Sequence, residues 1–215
     1  SINEHIKKSY EETKKNSIEI FGNNFDNCNS ILLYNSYEDI QVNFEYPNND
    51  VILRKENKYN CYAENINGDF KCKLIFKKNW VPNLNKFFSG CRYLTYIDFS
   101  NFDSSNVTDM GQMFENCSNI TEIKFIGRFN TSKVKKMNNM FSNCKYLRSL
   151  DLSNFDSSNV TDMGQMFEKC HQLNEILIGV GFVTSKVTNM ASMFNDCYSL
   201  KSIDLSNFDT SKVTD

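Results

Sequence analysis

The side chains of this 215-residue chain that could do covalent or metal chemistry are eight cysteines, two histidines and a recurring serine. Zinc is poorly served, because no C-x-x-C occurs and the only histidines are His5 and His171. The places that correspond to His171 elsewhere carry Arg92, Ser118, Lys145 and Tyr198, and a position open to all of these is solvated surface. Five cysteines are phased instead: Cys91, Cys117, Cys144, Cys170 and Cys197, with gaps of 26, 27, 26 and 27 residues. Such thiols are expected to be buried and unpaired, each filling its own place in a packed interior. A serine returns with the same phase as Ser105, Ser132, Ser158, Ser185 and Ser211. Five copies of a nucleophile serve no reaction, so these hydroxyls are expected to bond buried turn backbone. Calcium is a weak candidate. Asp98, Asp103 and Asp109 return as Asp151, Asp156 and Asp162 without any EF-hand spacing, and read as turn and cap residues. Sequons at Asn106, Asn116, Asn119, Asn130 and Asn159 are by-products of the repeat. No catalytic residue, metal site or cofactor is expected.

The elements that carry these residues follow from the period. A Phe stands three residues before each phased Cys, as Phe88, Phe114, Phe141, Phe167 and Phe194. All eight methionines join the phase, with Met113, Met140, Met166 and Met193 directly before a Phe. A column of Phe, Met and Cys this regular is core packing. The unit reads L-x-x-I-D-L-S-N-F-D-x-S-x-V-T-x-M-x-x-M-F-x-x-C, and it repeats best as a pair of 53 residues, the alternate copies carrying one extra residue near Gly127 or Gly179. Leu94, Ile97 and Phe99 have the spacing of a short strand with its apolar side inward. Val107, Met110, Met113, Phe114 and Cys117 fall on one face of a helix, which Thr108 or Asp109 would cap with Gln112 closing a capping box. A strand plus a helix cannot bury its own apolar face, and stacking does so. The expected fold is an α/β solenoid, leucine-rich-repeat-like and right-handed, with a parallel strand ladder on one side and short helices on the other. About five coils of 26–27 residues span 79–215, cut short at the C-terminus.

Residues 1–78 read as a small α+β capping region, with a helix over about 3–20 and strands between about 31 and 76. A hairpin is expected about Asn67-Gly68. It would set Ala63 opposite Cys72 and bring Cys61 within reach of Cys72, a possible disulfide. This part is expected to cover the open end of the solenoid, with Trp80 at the junction.

Net charge is −2 and the pI about 5.8, so no basic surplus is available for nucleic acid. No apolar run reaches the roughly 18 residues of a membrane span, and the first residues are not a signal peptide. The best working surface is the outward side of the strands: Tyr96 and Asp98, Glu122 and Lys124, Ser149 and Asp151, Glu175 and Leu177, Ser202 and Asp204. Lys124 falls between Asp98 and Asp151, which spaces like charges by roughly 10 Å.

The motif carried by Met113-Phe114-Glu115-Asn116-Cys117, by Leu150-Asp151-Leu152-Ser153-Asn154-Phe155-Asp156 and by Val160-Thr161-Asp162-Met163 closely resembles the BspA-like leucine-rich-repeat surface proteins, in the subtype common in mycoplasma lipoproteins. The resemblance covers about residues 79–215. It implies a cell-surface or secreted protein that binds a protein or another extracellular macromolecule, with no enzymatic activity. An architectural or antigenic spacer is the alternative, and an enzyme site within residues 1–78 the weakest reading.

Overall fold

The computed structural model describes residues 83–215 throughout. Before them it describes only the strands β1 (Ser17–Gly22), β2 (Ile31–Leu33), β3 (Ile40–Phe44), β4 (Ile52–Lys55), β5 (Cys61–Glu64) and β6 (Phe70–Phe76). Within the repeats lie β7 (Leu94–Asp98), β8 (Glu122–Lys124), β9 (Ser149–Leu152) and β10 (Glu175–Ile178).

The expected helices are not formed: residues 107–117 make turns, and no described residue is helical. The backbone shows why. The N–H groups of Met113, Glu115 and Cys117 bond back three residues, to the carbonyls of Met110, Gln112 and Phe114, at 3.3, 3.1 and 3.0 Å. The alternate groups, on Gln112, Phe114 and Asn116, leave the copy and reach the carbonyls of Asn138, Met140 and Ser142 at 2.8, 2.9 and 2.9 Å. The next copy repeats this, Asn139, Phe141 and Asn143 donating to Gly164, Met166 and Glu168. Gln165, Phe167 and Lys169 then donate to Ala191, Met193 and Asn195. A helix would keep all these donors for its own carbonyls. The apolar spacing does not separate the two forms, because a chain of three-residue turns also brings a side chain inward every three or four residues.

These turns require left-handed residues. Gln112, Asn116, Asn139, Asn143, Gln165 and Lys169 have φ of 56°, 62°, 55°, 63°, 57° and 59°. Positive φ in the third place is what a type II turn demands. For residues other than Gly or Asn it costs roughly 1–2 kcal/mol. The hydrogen bonds between copies offset that cost, and they recur at four successive interfaces.

Parallel pairing also joins the copies on the strand side. Tyr96, Ile97 and Asp98 of β7 face Glu122, Ile123 and Lys124 of β8. Ser149 to Leu152 of β9 face Glu175 to Ile178 of β10. The expected ladder is not continuous: β8 and β9 belong to different sheets, and residues 201–205 form no strand. Opposite the strands, parallel bridges run unbroken from Asn83 through Asp109, Lys136 and Asp162 to Asn189.

Phe, Met and Cys fill the space between. Phe88, Phe114, Phe141, Phe167 and Phe194 stack in one column, with ring centroids 5.6, 5.7, 5.7 and 5.4 Å apart and planes within 8° of parallel. Met113, Met140, Met166 and Met193 are buried beside them, as are Cys91, Cys117, Cys144 and Cys170; Phe194 and Cys197, in the last copy, are partly buried. Each later thiol donates to the Phe carbonyl one copy back: Cys117 to Phe88, Cys144 to Phe114, Cys170 to Phe141 and Cys197 to Phe167, at 3.0 to 3.2 Å. The five phased cysteines are free thiols, and burial pushes the Cys117, Cys144 and Cys170 thiols well up.

The first repeat strand does not stand alone. β1 lies antiparallel to β7, Ile20 opposite Ile97, and β6 and β3 follow beyond it. Residues 17–22 are therefore strand where the helix over 3–20 was expected; residues 3–16 lie outside the described residues, as do Cys28, Trp80 and Val81. Asn67 and Gly68 also lie outside the described residues, but β5 and β6 do not pair with each other as a hairpin there would require. β5 pairs with β2 and β4 in a separate three-stranded sheet, Ala63 opposite Ile31 and Leu53, while Cys72 of β6 sits opposite Ile20 and Phe44. The β5–β6 pairing on which the expected Cys61–Cys72 disulfide rested is not among these pairings. β5 takes its near neighbour β4 on the other side in sequence, and β6 takes the more distant β1 and β3.

Three outcomes test this packing. Lys169→Gly is expected to leave stability in urea unchanged or raise it by about 1 kcal/mol, because Gly relieves left-handed strain. A helix at that position would instead lose about 1 kcal/mol. Gly179→Ala is expected to destabilise by roughly 1–3 kcal/mol, since an added Cβ would press into the Ser153 carbonyl of the preceding copy. Alkylation of the native protein, mapped by mass spectrometry, is expected to label Cys197 ahead of Cys117 and Cys144, which should react only on unfolding.

Candidate binding face

The side chains proposed to work are those that strand alternation turns away from the Phe and Met interior. Leu94, Ile97, Ile123, Leu150, Leu152 and Ile176 are buried. Between them Glu122, Ser149, Asp151, Glu175 and Leu177 are exposed, and Tyr96, Asp98 and Lys124 half-buried. Ser202 and Asp204 are exposed as well, on a segment that forms no strand. Register sets Tyr96 beside Glu122, Asp98 beside Lys124, Ser149 beside Glu175 and Asp151 beside Leu177.

One end of this surface is a connected cluster. Tyr96 Oη donates to Asp98 Oδ2 at 3.1 Å. Lys124 Nζ sits 5.2 Å from the Tyr96 ring centroid, a cation–π contact, and 3.7 Å from Glu122 Oε1. Burial, with the nearby Asp98 carboxylate, raises the Tyr96 phenol above its ordinary value against the pull of Lys124. The other end holds Leu177, half exposed.

The carboxylates have a second task that their spacing did not reveal. Asp98, Asp151 and Asp204 accept the backbone N–H of Ser100, Ser153 and Ser206 at 2.7, 2.9 and 2.9 Å, closing the turn that ends each strand segment. Asp103, Asp156 and Asp209 do the same for Ser105, Ser158 and Ser211. The hydroxyl and backbone N–H of these serines hold the Asp103, Asp156 and Asp209 carboxyls below the usual range. Asp109 and Asp162, expected as helix caps, accept from Gly111 and Gly164 in turns of the same kind. D-x-S and D-x-G were the available signals.

The hydroxyl expected to bond buried backbone is one residue away from the serine chosen for it. Ser104, Thr131, Ser157 and Thr184 are fully or almost fully buried and donate to the next copy, at Asn130, Asp156, Val183 and Asp209 carbonyls, from 2.6 to 3.0 Å. Three of them also accept a backbone N–H in return. The Ser of the following position instead donates its backbone N–H to the side chain two residues earlier, Ser105, Ser158 and Ser211 to Asp and Ser132 to Asn130. A position that accepts either Ser or Thr was the better sign of a buried hydroxyl.

His171 stacks on the exposed Tyr198 ring at 5.2 Å, and no cluster of three metal-ligating side chains occurs among the described residues. No helix of the described residues is long and apolar enough to cross a membrane. The surface offers aromatic, charged and apolar contact; the buried thiols offer no accessible nucleophile.

No curated protein and no solved structure matches the chain. A family model does match, over residues 82–179 and again over 150–215, and so spans the whole of the repeat part. With more than half of its length matched, the chain belongs to the family described as Mycoplasma protein of unknown function, DUF285.

Proposed function

We propose that this chain is a non-enzymatic module of a cell-surface or secreted protein. In this reading it is a solenoid of the BspA-like leucine-rich-repeat kind, built with turns where related solenoids place helices, and it binds an extracellular macromolecule through its strand face. The observation that carries the reading is the registered set of outward side chains, from Tyr96 and Lys124 to Glu175 and Leu177, on a scaffold that buries the thiols of Cys91, Cys117, Cys144 and Cys170. The family's association with mycoplasma surface repeat proteins supports the location. Stacked repeats commonly bind through such extended faces.

A second reading, an architectural or antigenic spacer with no specific ligand, is favoured by the turns that occupy Asp98, Asp151 and Asp204. Binding to immobilised serum and extracellular-matrix proteins separates the two. Saturable binding is expected for the native chain, with a loss of roughly tenfold or more when Glu122, Lys124, Glu175 and Leu177 are replaced together by Ser. Binding that survives the replacement would remove the strand face from the proposal, and no saturable binding at all would favour the spacer.

A further inference from the structure

The copy that carries β8 and the copy that carries β9 meet in a polar depression outside the strand face. It is open to solvent, has a volume of about 530 Å³, and is lined by Arg128, Phe129, Asn130 and Ser132 of one copy and by Asn154 and Asp156 of the next. That is the size of a small-molecule site, roughly 300–1,000 Å³. It lies at the interface where the strand ladder is interrupted. The extra residue of the β8 copy sets its entrance. Gly127, at φ 74°, passes so close to the Ser100 carbonyl that a Cβ has no room, and Arg128 follows it, exposed. The copies on either side carry Asn101 and Asn154 in the place of Arg128, so the stack itself does not require an arginine there.

The lining holds unspent hydrogen-bonding capacity of both kinds. Among the described residues, the Arg128 guanidinium, the Asn154 carboxamide and the Asn130 amide nitrogen make no hydrogen bond. The Asn130 oxygen is occupied by the Ser132 N–H at 2.8 Å. Asp156 Oδ1 accepts the Ser158 N–H at 2.9 Å, and the Ser158 hydroxyl and N–H hold this carboxyl below the usual range, which keeps it an ionised acceptor at neutral pH. The charges balance: Arg128 acts on Asp103 of the preceding copy, and Lys186 acts on Asp156. A site without surplus positive charge does not favour phosphate or sulfate. Donors and an acceptor side by side suit a group that does both, and that group is the hydroxyl. We infer that this depression binds a neutral saccharide unit, whose hydroxyls accept from Arg128, Asn130 and Asn154 and donate to Asp156. The site shares no residue with the strand face, so its occupancy is independent of any partner bound there.

Chemical-shift titration of the labelled 215-residue chain tests it, with the methyl glycosides of glucose, galactose, mannose and N-acetylglucosamine as probes and inorganic phosphate for comparison. At least one glycoside is expected to shift the side-chain amides of Asn130 and Asn154 saturably, with a roughly millimolar dissociation constant. Arg128→Asn and Asp156→Asn each install the residue that a neighbouring copy carries at the same place, and spectra unchanged elsewhere will show that both variants fold. Each is expected to weaken the binding by roughly fivefold or more. The inference is overturned if none of the glycosides gives a saturable shift at tens of millimolar, or if both variants bind as the native chain does. A response to phosphate alone would overturn it too, since that would make the depression an anion site.

Discussion

Backbone donors on alternate residues of each turn segment must find carbonyls in the neighbouring copy, and most of what is regular in this molecule follows from that requirement. It forces the segment to zigzag, with one N–H closing a turn and the next crossing to the neighbour. It forces left-handed φ at Gln112, Asn116 and their counterparts. It holds successive backbones close enough for the phenylalanine rings to stack within 5.4–5.7 Å over four interfaces. Met and Cys then fill what the rings leave, as adaptable side chains that tolerate a narrow interior. Thiol-to-carbonyl bonds use acceptor capacity that the turn backbone would otherwise leave idle.

The 53-residue pairing has a physical origin in the same closeness. Gly111 and Gly164 lack side chains where Asn138 and Asn189 need room; a Cβ on either would come within 2.8 Å of an Asn side-chain atom. One copy of each 53-residue pair therefore carries Gly where a neighbouring Asn side chain needs the space. Charges alternate as well, with Asp98 and Asp151 separated by Lys124, and Asp109 and Asp162 separated by Lys136. In a stack of in-register parallel copies, identical charges would otherwise face each other directly. Lysines of alternate copies also reach back to asparagines, Lys133 to Asn106 and Lys186 to Asn159.

The interior was legible in the sequence because period and residue type agree: every phased Phe, Met and Cys lies inside or partly inside. The outward strand positions were legible for the same reason, since alternation is a property of single residues. What was not legible is how the backbone spends its hydrogen bonds. The spacing of Val107, Met110, Met113, Phe114 and Cys117 serves a helix and a chain of turns equally. A hint lay in the places now known to be left-handed, where Gly90, Asn116, Asn143 and Asp196 recur, residue types that suit positive φ. Residues before the repeats were harder, because strands β1 and β6 find partners distant in sequence and no period announces them. The acidic row was placed on the correct side, yet its turn-closing role depended on the serine two residues on.

The most direct measurement is of the crossing bonds themselves. Scalar couplings through hydrogen bonds, read by NMR on the labelled protein, should connect the amide nitrogen of Phe114 to the carbonyl carbon of Met140, and that of Phe141 to Met166. Couplings from Phe114 to Met110, four residues back within the same copy, would mean a helix, and would contradict the alternating scheme from which the packing and the left-handed turns follow.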